Sequence, residues 1–343
     1  MKAIILIGGM GTRLEPLTLT MPKTMVPVLN KPFLEYLITR VKDCGIRSIV
    51  LSAGHLAGSI PEYFGNGERF GVDLHYVVEK TPLGTGGGIK NAQDYLDDTF
   101  MVINGDVFTD IDINAMADFH FSRGALATIA LTPVDDPTRY GVIETDKSGR
   151  VLKFLEKPKL EQVTTNMINA GLIIMEPSLL DLIPPNTKYS YEKELFPSLL
   201  ACGKPVYAFA SEKYWIDIGT PEKYLELSSD LLTGKSVQYP SCSALAVYKG
   251  NNVAVGENVS LLNTVVIGDD SVIEDGAVID NSVIWPKTVV GKNSIVRNSI
   301  IADGCHIRQS CVIDGAVLGS NVNIGSSLKL SSGSRVYPNT VLH

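Results

Sequence analysis

The sequence predicts an α/β domain built on a mostly parallel sheet with helices on both faces, followed by a parallel β-helix. Three observations carry this prediction. Short apolar runs alternate with segments of helical period over roughly the first 232 residues. After about Gly234 the helical period vanishes, and aliphatic residues recur every five or six positions. Finally, the first apolar run opens directly into a glycine-rich turn, the arrangement in which a sheet strand ends at a phosphate-binding crevice.

The elements follow in order. Lys2–Ile7 reads as a buried strand. After Pro32, apolar residues at Phe33, Leu34, Leu37, Ile38 and Val41 recur at helical spacing, with Asn30 as a candidate cap and Gly45 as the stop. Ser48–Ala53, Leu74–Val78 and Phe100–Ile103 are runs of strand length. Helical patterns over Thr85–Leu96 and Ile113–Ser122 separate or follow them. The alternation is Rossmann-like. In such sheets ligands sit beyond the carboxyl ends of the strands, so the turn at Gly8–Arg13, the segment Leu83–Thr85, and Asp106 should face one crevice.

The turn Gly8-Gly9-Met10-Gly11-Thr12-Arg13, with Pro22-Lys23 after it, is a candidate polyphosphate site. Successive backbone N–H groups form an anion-binding nest, and Arg13 and Lys23 supply positive charge. It is not a Walker A loop, because no Gly-Lys-Ser/Thr closes it. Nor is it a dinucleotide fingerprint, since Leu14 stands where a third glycine is needed.

In the second half, Val255, Leu261, Ile267, Ile273, Ile279, Ile284, Val290, Val296, Ile301, Ile307, Ile313, Leu318 and Ile324 form one series. Most steps are six residues and three are five. A small or polar residue after most of these aliphatics fits a corner, and the aliphatics themselves stack along an axis. The expected domains are residues 1–234, a linker over 235–251 containing Pro240, and the β-helix over 252–343.

The net charge of −7 argues against nucleic-acid binding by phosphate neutralisation. Five cysteines without a CxxC pair argue against a structural zinc site and for reduced thiols in a cytoplasmic protein. The opening apolar run is too short for a secretory or membrane segment, so no membrane partner is expected. Asp110 and Asp112 read as caps or surface residues, Cys305 and Cys311 as packing, and His306 as a lone surface histidine.

Read together, six motifs in order resemble the sugar-1-phosphate nucleotidylyltransferases. They are Gly8-Gly-Met-Gly-Thr-Arg-Leu with Pro22-Lys23, Pro82-Leu-Gly-Thr-Gly-Gly, Asn104-Gly-Asp106, Phe154-Leu-Glu-Lys-Pro158, Asn169-Ala-Gly171 and Trp215-Ile-Asp-Ile-Gly-Thr-Pro221. The likeness is strongest to mannose-1-phosphate guanylyltransferases that carry a C-terminal left-handed β-helix, through Tyr191-Glu-Lys-Glu-Leu-Phe-Pro197 and Leu330-Ser-Ser-Gly-Ser-Arg-Val-Tyr-Pro338. The handedness is implied by this resemblance alone.

The resemblance implies that a sugar-1-phosphate attacks a nucleoside triphosphate and releases pyrophosphate. It implies Leu6, Gly8, Gly9, Gly11, Thr12, Arg13, Lys23, Gly84, Thr85 and Asp106 around the nucleotide. Around the sugar phosphate it implies Gly141, Glu156, Lys157, Asn169 and Asp217. Arg13, Lys23, Asp106 and Lys157 carry the reaction, and Asp106 and Asp217 hold Mg²⁺. GTP with mannose-1-phosphate is the preferred pair. Glucose-1-phosphate with dTTP, UTP or ATP stays open, as does a non-catalytic subunit that senses nucleotide sugars. Ile7 and Gly88 depart from common family residues near the base pocket, and the run Gly86–Gly88 should loosen the helix that follows. The β-helix is expected to support a homo-oligomer.

Overall fold

A computed structural model describes residues 1–9, 11–54, 58–237 and 246–343. Met10, Pro240 and Cys242 lie outside the described residues. The chain packs as two compact units, residues 1–9 with 36–215 and residues 10–35 with 216–343.

The strands of the first unit are β1 (Lys2–Ile7), β2 (Ser48–Ala53), β3 (Asp73–Val78), β4 (Phe100–Asn104), β5 (Val107–Thr109), β6 (Ala127–Pro133), β7 (Gly141–Thr145), β8 (Val151–Glu156), β9 (Met167–Met175) and β10 (Val206–Ala210). The main sheet runs β8-β7-β9-β4-β1-β2-β3, with β6 beside β9 and β10 beside β6. β1 pairs in parallel with β2 and β4, and β2 with β3. β9 runs antiparallel to β4, β6 and β7. Central strands covered on both faces read as continuous apolar runs, which is why Ala3–Ile5 and Ile49–Leu51 are fully buried.

The helices are α1 (Phe33–Asp43), α2 (Ser59–Phe64), α3 (Gly84–Asn91), α4 (Ile113–Ser122), α5 (Phe196–Ala201) and α6 (Pro221–Leu232). Asp112 caps α4 by accepting the Ala115 N–H at 3.0 Å. Asp110, expected as a cap or surface residue, is 5% exposed and so not on the surface, and its N–H donates to the Tyr214 carbonyl. The glycine run lies inside α3 and is buried there. A Cβ on Gly86 would lie 2.8 Å from the Tyr189 ring, and one on Gly87 would lie 2.5 Å from the Thr187 carbonyl oxygen. The segment 187–191 therefore lies against the helix, as only glycine permits.

In the second unit, residues 247–343 wind into a parallel β-helix of three sides. One side stacks Ser260–Ile267, Val278–Ile284, Ile295–Arg297, Val312–Asp314 and Lys329–Leu330 at their first residues. Another stacks Val283–Ile284, Ile300–Ile301, Val317–Leu318 and Arg335–Val336. The third stacks Ala254–Val255 through Val341–Leu342. The three five-residue steps fall at one corner, where Asn281 (φ 44), Asn298 (φ 46) or Gly315 (φ 64) is left-handed, and the six-residue corners carry left-handed residues as well, such as Asp270 (φ 59) and Gly276 (φ 67). The aliphatic series is buried from Ile267 to Ile324, whereas Val255 on the first coil is 38% exposed. Val247–Lys249, expected in the linker, is the first strand of the β-helix and pairs with Val265–Ile267.

Asn30 does not cap α1. It forms a left-handed corner with Leu29 (φ 63 and 46) in a hairpin joining Pro27–Val28 to Lys31–Pro32. Two-residue turns of this kind need positive φ at both positions, which Asn tolerates. Its side-chain amide donates to Asp269 at 3.1 Å.

Candidate active site

In the first unit, the carboxyl ends of β1 and β4 lie side by side, with Leu6 in register with Asn104. The Gly105 N–H donates to the Leu6 carbonyl at 3.0 Å, which fixes the turn that presents half-buried Asp106. Gly8 and Gly9 are exposed, and a Cβ on either would meet no protein atom within 4 Å. Gly9 has φ 137, a conformation that favours glycine. Open space above bare backbone is what a nucleotide needs to approach the main chain.

Gly84 and Thr85 open α3. Glu79 anchors the approach to them: its carboxylate accepts from the Leu83 N–H at 2.9 Å and from the Ser52 hydroxyl at 3.3 Å. The N–H groups of Gly86 and Gly87 both donate to the Tyr189 carbonyl. Those two amides are committed to the fold.

Glu156 ends β8 opposite Gly141 on β7. A Cβ on Gly141 would lie 3.0 Å from the Glu156 carboxylate. Burial, and then the Glu192 carboxylate, push the Glu156 carboxyl above the usual range, while Lys157 and Lys193 pull it back. Lys157 is left-handed (φ 48), its N–H donates to the Tyr140 carbonyl, and its exposed ammonium lies 3.9 Å from Glu156. Asn169 sits where β9 shifts register against β6. Its side-chain oxygen accepts the Gly171 N–H at 2.9 Å, a bond that does not use its amide NH₂.

Several neighbours escaped sequence reasoning. Tyr191, Glu192 and Asn104 tie the parts together. The Tyr191 hydroxyl donates to Asn104 at 3.1 Å, and one Glu192 oxygen accepts from Thr85 at 2.6 Å and Ser190 at 2.5 Å. The Trp215 indole donates to the Ala170 carbonyl at 2.9 Å and meets the Tyr140 ring edge-on. Residues 191–195 form a π-helical turn, an irregularity often found at functional sites. The only signal for Glu192 was its place in a family-like stretch.

Gly11, Thr12, Arg13, Lys23 and Asp217 belong to the second unit. Gly11 (φ 63) starts the tight turn Thr12–Leu14, and the Thr18 hydroxyl donates to its carbonyl at 2.9 Å. Lys23 opens a second tight turn. Arg13 and Asp217 converge on Gly219: a Cβ there would lie 2.8 Å from the carboxylate and 2.9 Å from the guanidinium. Thr220 caps α6, with Pro221 at its first position.

No cluster of three or more His, Cys, Asp or Glu side chains that would cage a metal is found among the described residues. Asp106 and Asp217 offer hard carboxylate oxygens. Each, in its own unit, is the kind of donor Mg²⁺ takes, since one or two carboxylates hold that ion while phosphate oxygens and water complete the shell. His306 is exposed on the β-helix, in register with Val289 and Asn323. Cys305 and Cys311 are buried in its core. Among the described residues, no helix is long and apolar enough to cross a membrane.

Residues 2–234 match the nucleotidyl transferase family, and residues 245–343 match the EIF2B subunit epsilon LbH domain. A mannose-1-phosphate guanylyltransferase of Mycobacterium tuberculosis is 43% identical over 234 residues, 68% of this chain and 65% of that protein. A UTP–glucose-1-phosphate uridylyltransferase of Synechocystis is 38% identical over 271 residues, 74% of this chain and 70% of that protein. A mannose-1-phosphate guanyltransferase of Candida albicans is 40% identical over 262 residues, 73% and 70% of the two chains. The crystal structure of HddC from Yersinia pseudotuberculosis superposes with a TM-score of 0.58 at 32% identity, covering 67% of this chain and 98% of that one. A second HddC structure is a complex with GMP-PN. With the glycine turn, the strand-end aspartate and the Glu-Lys-Pro segment set on this sheet, the chain belongs to the nucleotidyl transferase family, in its sugar-1-phosphate branch.

Proposed function

We propose that the chain transfers a guanylyl group from GTP to mannose-1-phosphate, giving GDP-mannose and pyrophosphate. The observation that carries this choice of substrates is the 43% identity to a relative named for that reaction. In this reading a sugar-phosphate oxygen bonds to the α-phosphorus, and the bond to the bridging oxygen of the β-phosphate breaks. The attacking phosphate is already ionised, since the second pKa of a phosphate monoester is about 6, so no general base is needed. The protein's task is to align two anions and receive the charge that develops on the leaving group.

Lys157 would meet the sugar phosphate, and Glu156, Asn169 and the Gly141 backbone would read sugar oxygens. Arg13 and Lys23 would hold the triphosphate over the turn from Gly8 to Thr12, with Leu6, Gly84 and Thr85 beside the nucleoside. Asp106 and Asp217 would hold Mg²⁺, which when bound neutralises charge on the phosphate oxygens. A catalytic domain over residues 1–234, a homo-oligomer through the β-helix, and a cytoplasmic location complete the proposal.

The Synechocystis relative favours a second reading, UTP with glucose-1-phosphate. Pyrophosphate release separates the two, measured for GTP, UTP, dTTP, ATP and CTP against mannose-, glucose- and N-acetylglucosamine-1-phosphate. Turnover with GTP and mannose-1-phosphate, lost with chelator and in Asp106→Asn, is expected. Turnover only with another pair overturns the substrate choice. Binding of GDP-mannose without turnover of any pair would favour a sensing subunit.

A further inference from the structure

We propose that Arg335 of the β-helix is a positioning residue for the nucleotide turn, an inference that rests on the role given to Arg13 above. Arg335 lies on the strand Arg335–Val336, exposed and paired with Val317. Its guanidinium Nη1 donates to the carbonyl oxygen of Arg13 at 3.1 Å and to that of Glu15. The turn itself uses its other carbonyls: Gly11 accepts from the Leu14 N–H, and Thr12 from the Glu15 N–H. The turn's own hydrogen bonds thus leave the Arg13 and Glu15 carbonyls to be gathered from outside, and Arg335 gathers both. Fixing the peptide plane that follows Arg13 fixes the direction in which its side chain leaves the backbone. That side chain borders Gly219 together with Asp217.

A planar guanidinium suits this work, because its N–H groups fan out in one plane and reach two carbonyls at once. A lysine ammonium at the end of a flexible stem does so less well. Arg335 also borders an open cavity of about 560 Å³ lined by Glu222, Asp230 and Lys235. A small cation from solvent can therefore reach the place its side chain occupies.

The test uses Arg335→Ala and Arg335→Lys in the full chain, with four readouts. These are KM for each substrate, binding of Mg·GTP, amide hydrogen exchange over residues 11–19, and the thermal midpoint. Arg335→Ala should raise the nucleotide KM by about tenfold, the scale of a displaced binding group. The sugar-phosphate KM and the midpoint should stay unchanged. Exchange should quicken over 11–19 and not in α4. Millimolar guanidinium should restore part of the loss, and Arg335→Lys should lie between wild type and Arg335→Ala. Unchanged exchange over 11–19 with unchanged nucleotide affinity would overturn the proposal, as would an equal rise in both KM values. If no substrate pair turns over in wild type, the proposed reaction fails, yet faster exchange with weaker Mg·GTP binding would still support the role of Arg335.

Discussion

The indole N–H of Trp285 donates to the hydroxyl of Tyr224 at 3.0 Å, across 61 residues of chain. The same hydroxyl donates to the Pro27 carbonyl. A helix, a β-helix coil and the early hairpin thus meet at one buried oxygen.

Tyr224→Phe removes that oxygen and leaves the buried Trp285 N–H and the half-buried Pro27 carbonyl without it. Each such group carries a penalty of about 1–3 kcal/mol. The variant should unfold several degrees below wild type, and intrinsic tryptophan fluorescence should follow the transition.

Gly87→Ala sets two effects against each other. Alanine gains about 1 kcal/mol of helix propensity. Overpacking costs about 1–3 kcal/mol, and the new methyl would lie 2.5 Å from a backbone carbonyl that cannot swing aside as a side chain can. Destabilisation should win, read as a lower midpoint in urea.

Glu156 gives a pH dependence of defined sign. Its folded carboxyl binds a proton more tightly than in the unfolded chain. Its contribution is therefore full below the unfolded pKa, about 4.3, and is lost as pH rises through the raised folded value. Without ligands, Glu156→Gln should be more stable than wild type at neutral pH. The gap should narrow as pH falls toward the carboxylate range. Thermal midpoints between pH 7.5 and 4.5 test this, and a gap that widens on acidification would refute it.

Thiol reactivity should divide the described cysteines. Cys202 is exposed, whereas Cys305 and Cys311 are buried and donate to the Gly319 and Gly325 carbonyls. Burial pushes the Cys305 thiol up to about 12. An aromatic disulfide reagent should label Cys202 in the native protein and the other two only after unfolding. Peptide mass spectrometry would locate the label.

Gly219→Ala should strike the nucleotide side of the reaction. The added methyl displaces either Arg13 or Asp217, and a misplacement of about 1 Å can cost about a hundredfold in rate. Steady-state kcat/KM with an unchanged midpoint would be the signature.

Much of this could be read from the chain because it is written locally. β1, β2 and α4 have the bounds their spacing predicted, since β1 and β2 run into Gly8 and Gly54 and Asp112 caps α4. The β-helix was legible from its period alone. What was hidden depends on partners far away. Asn30 has the composition of a cap, but its corner and its bond to Asp269, 239 residues on, decide its place. Glu192 acquires its role by meeting Thr85, and Asp110 is buried by its surroundings. Gly86 and Gly87 read as a weak helix start because the segment pressed against them lies a hundred residues later.

The membership of residues 10–35 in the second unit has a consequence for biosynthesis. The glycine turn emerges from the ribosome well before Arg335, which lies 322 residues beyond Arg13. Contacts of such separation form late, because long loops must close before the contact is gained. A nascent chain can thus complete its central sheet while the turn is still unanchored. The bond to that turn then comes only with the coil that carries Arg335, so a growing polypeptide holds its sheet before it holds the turn in place.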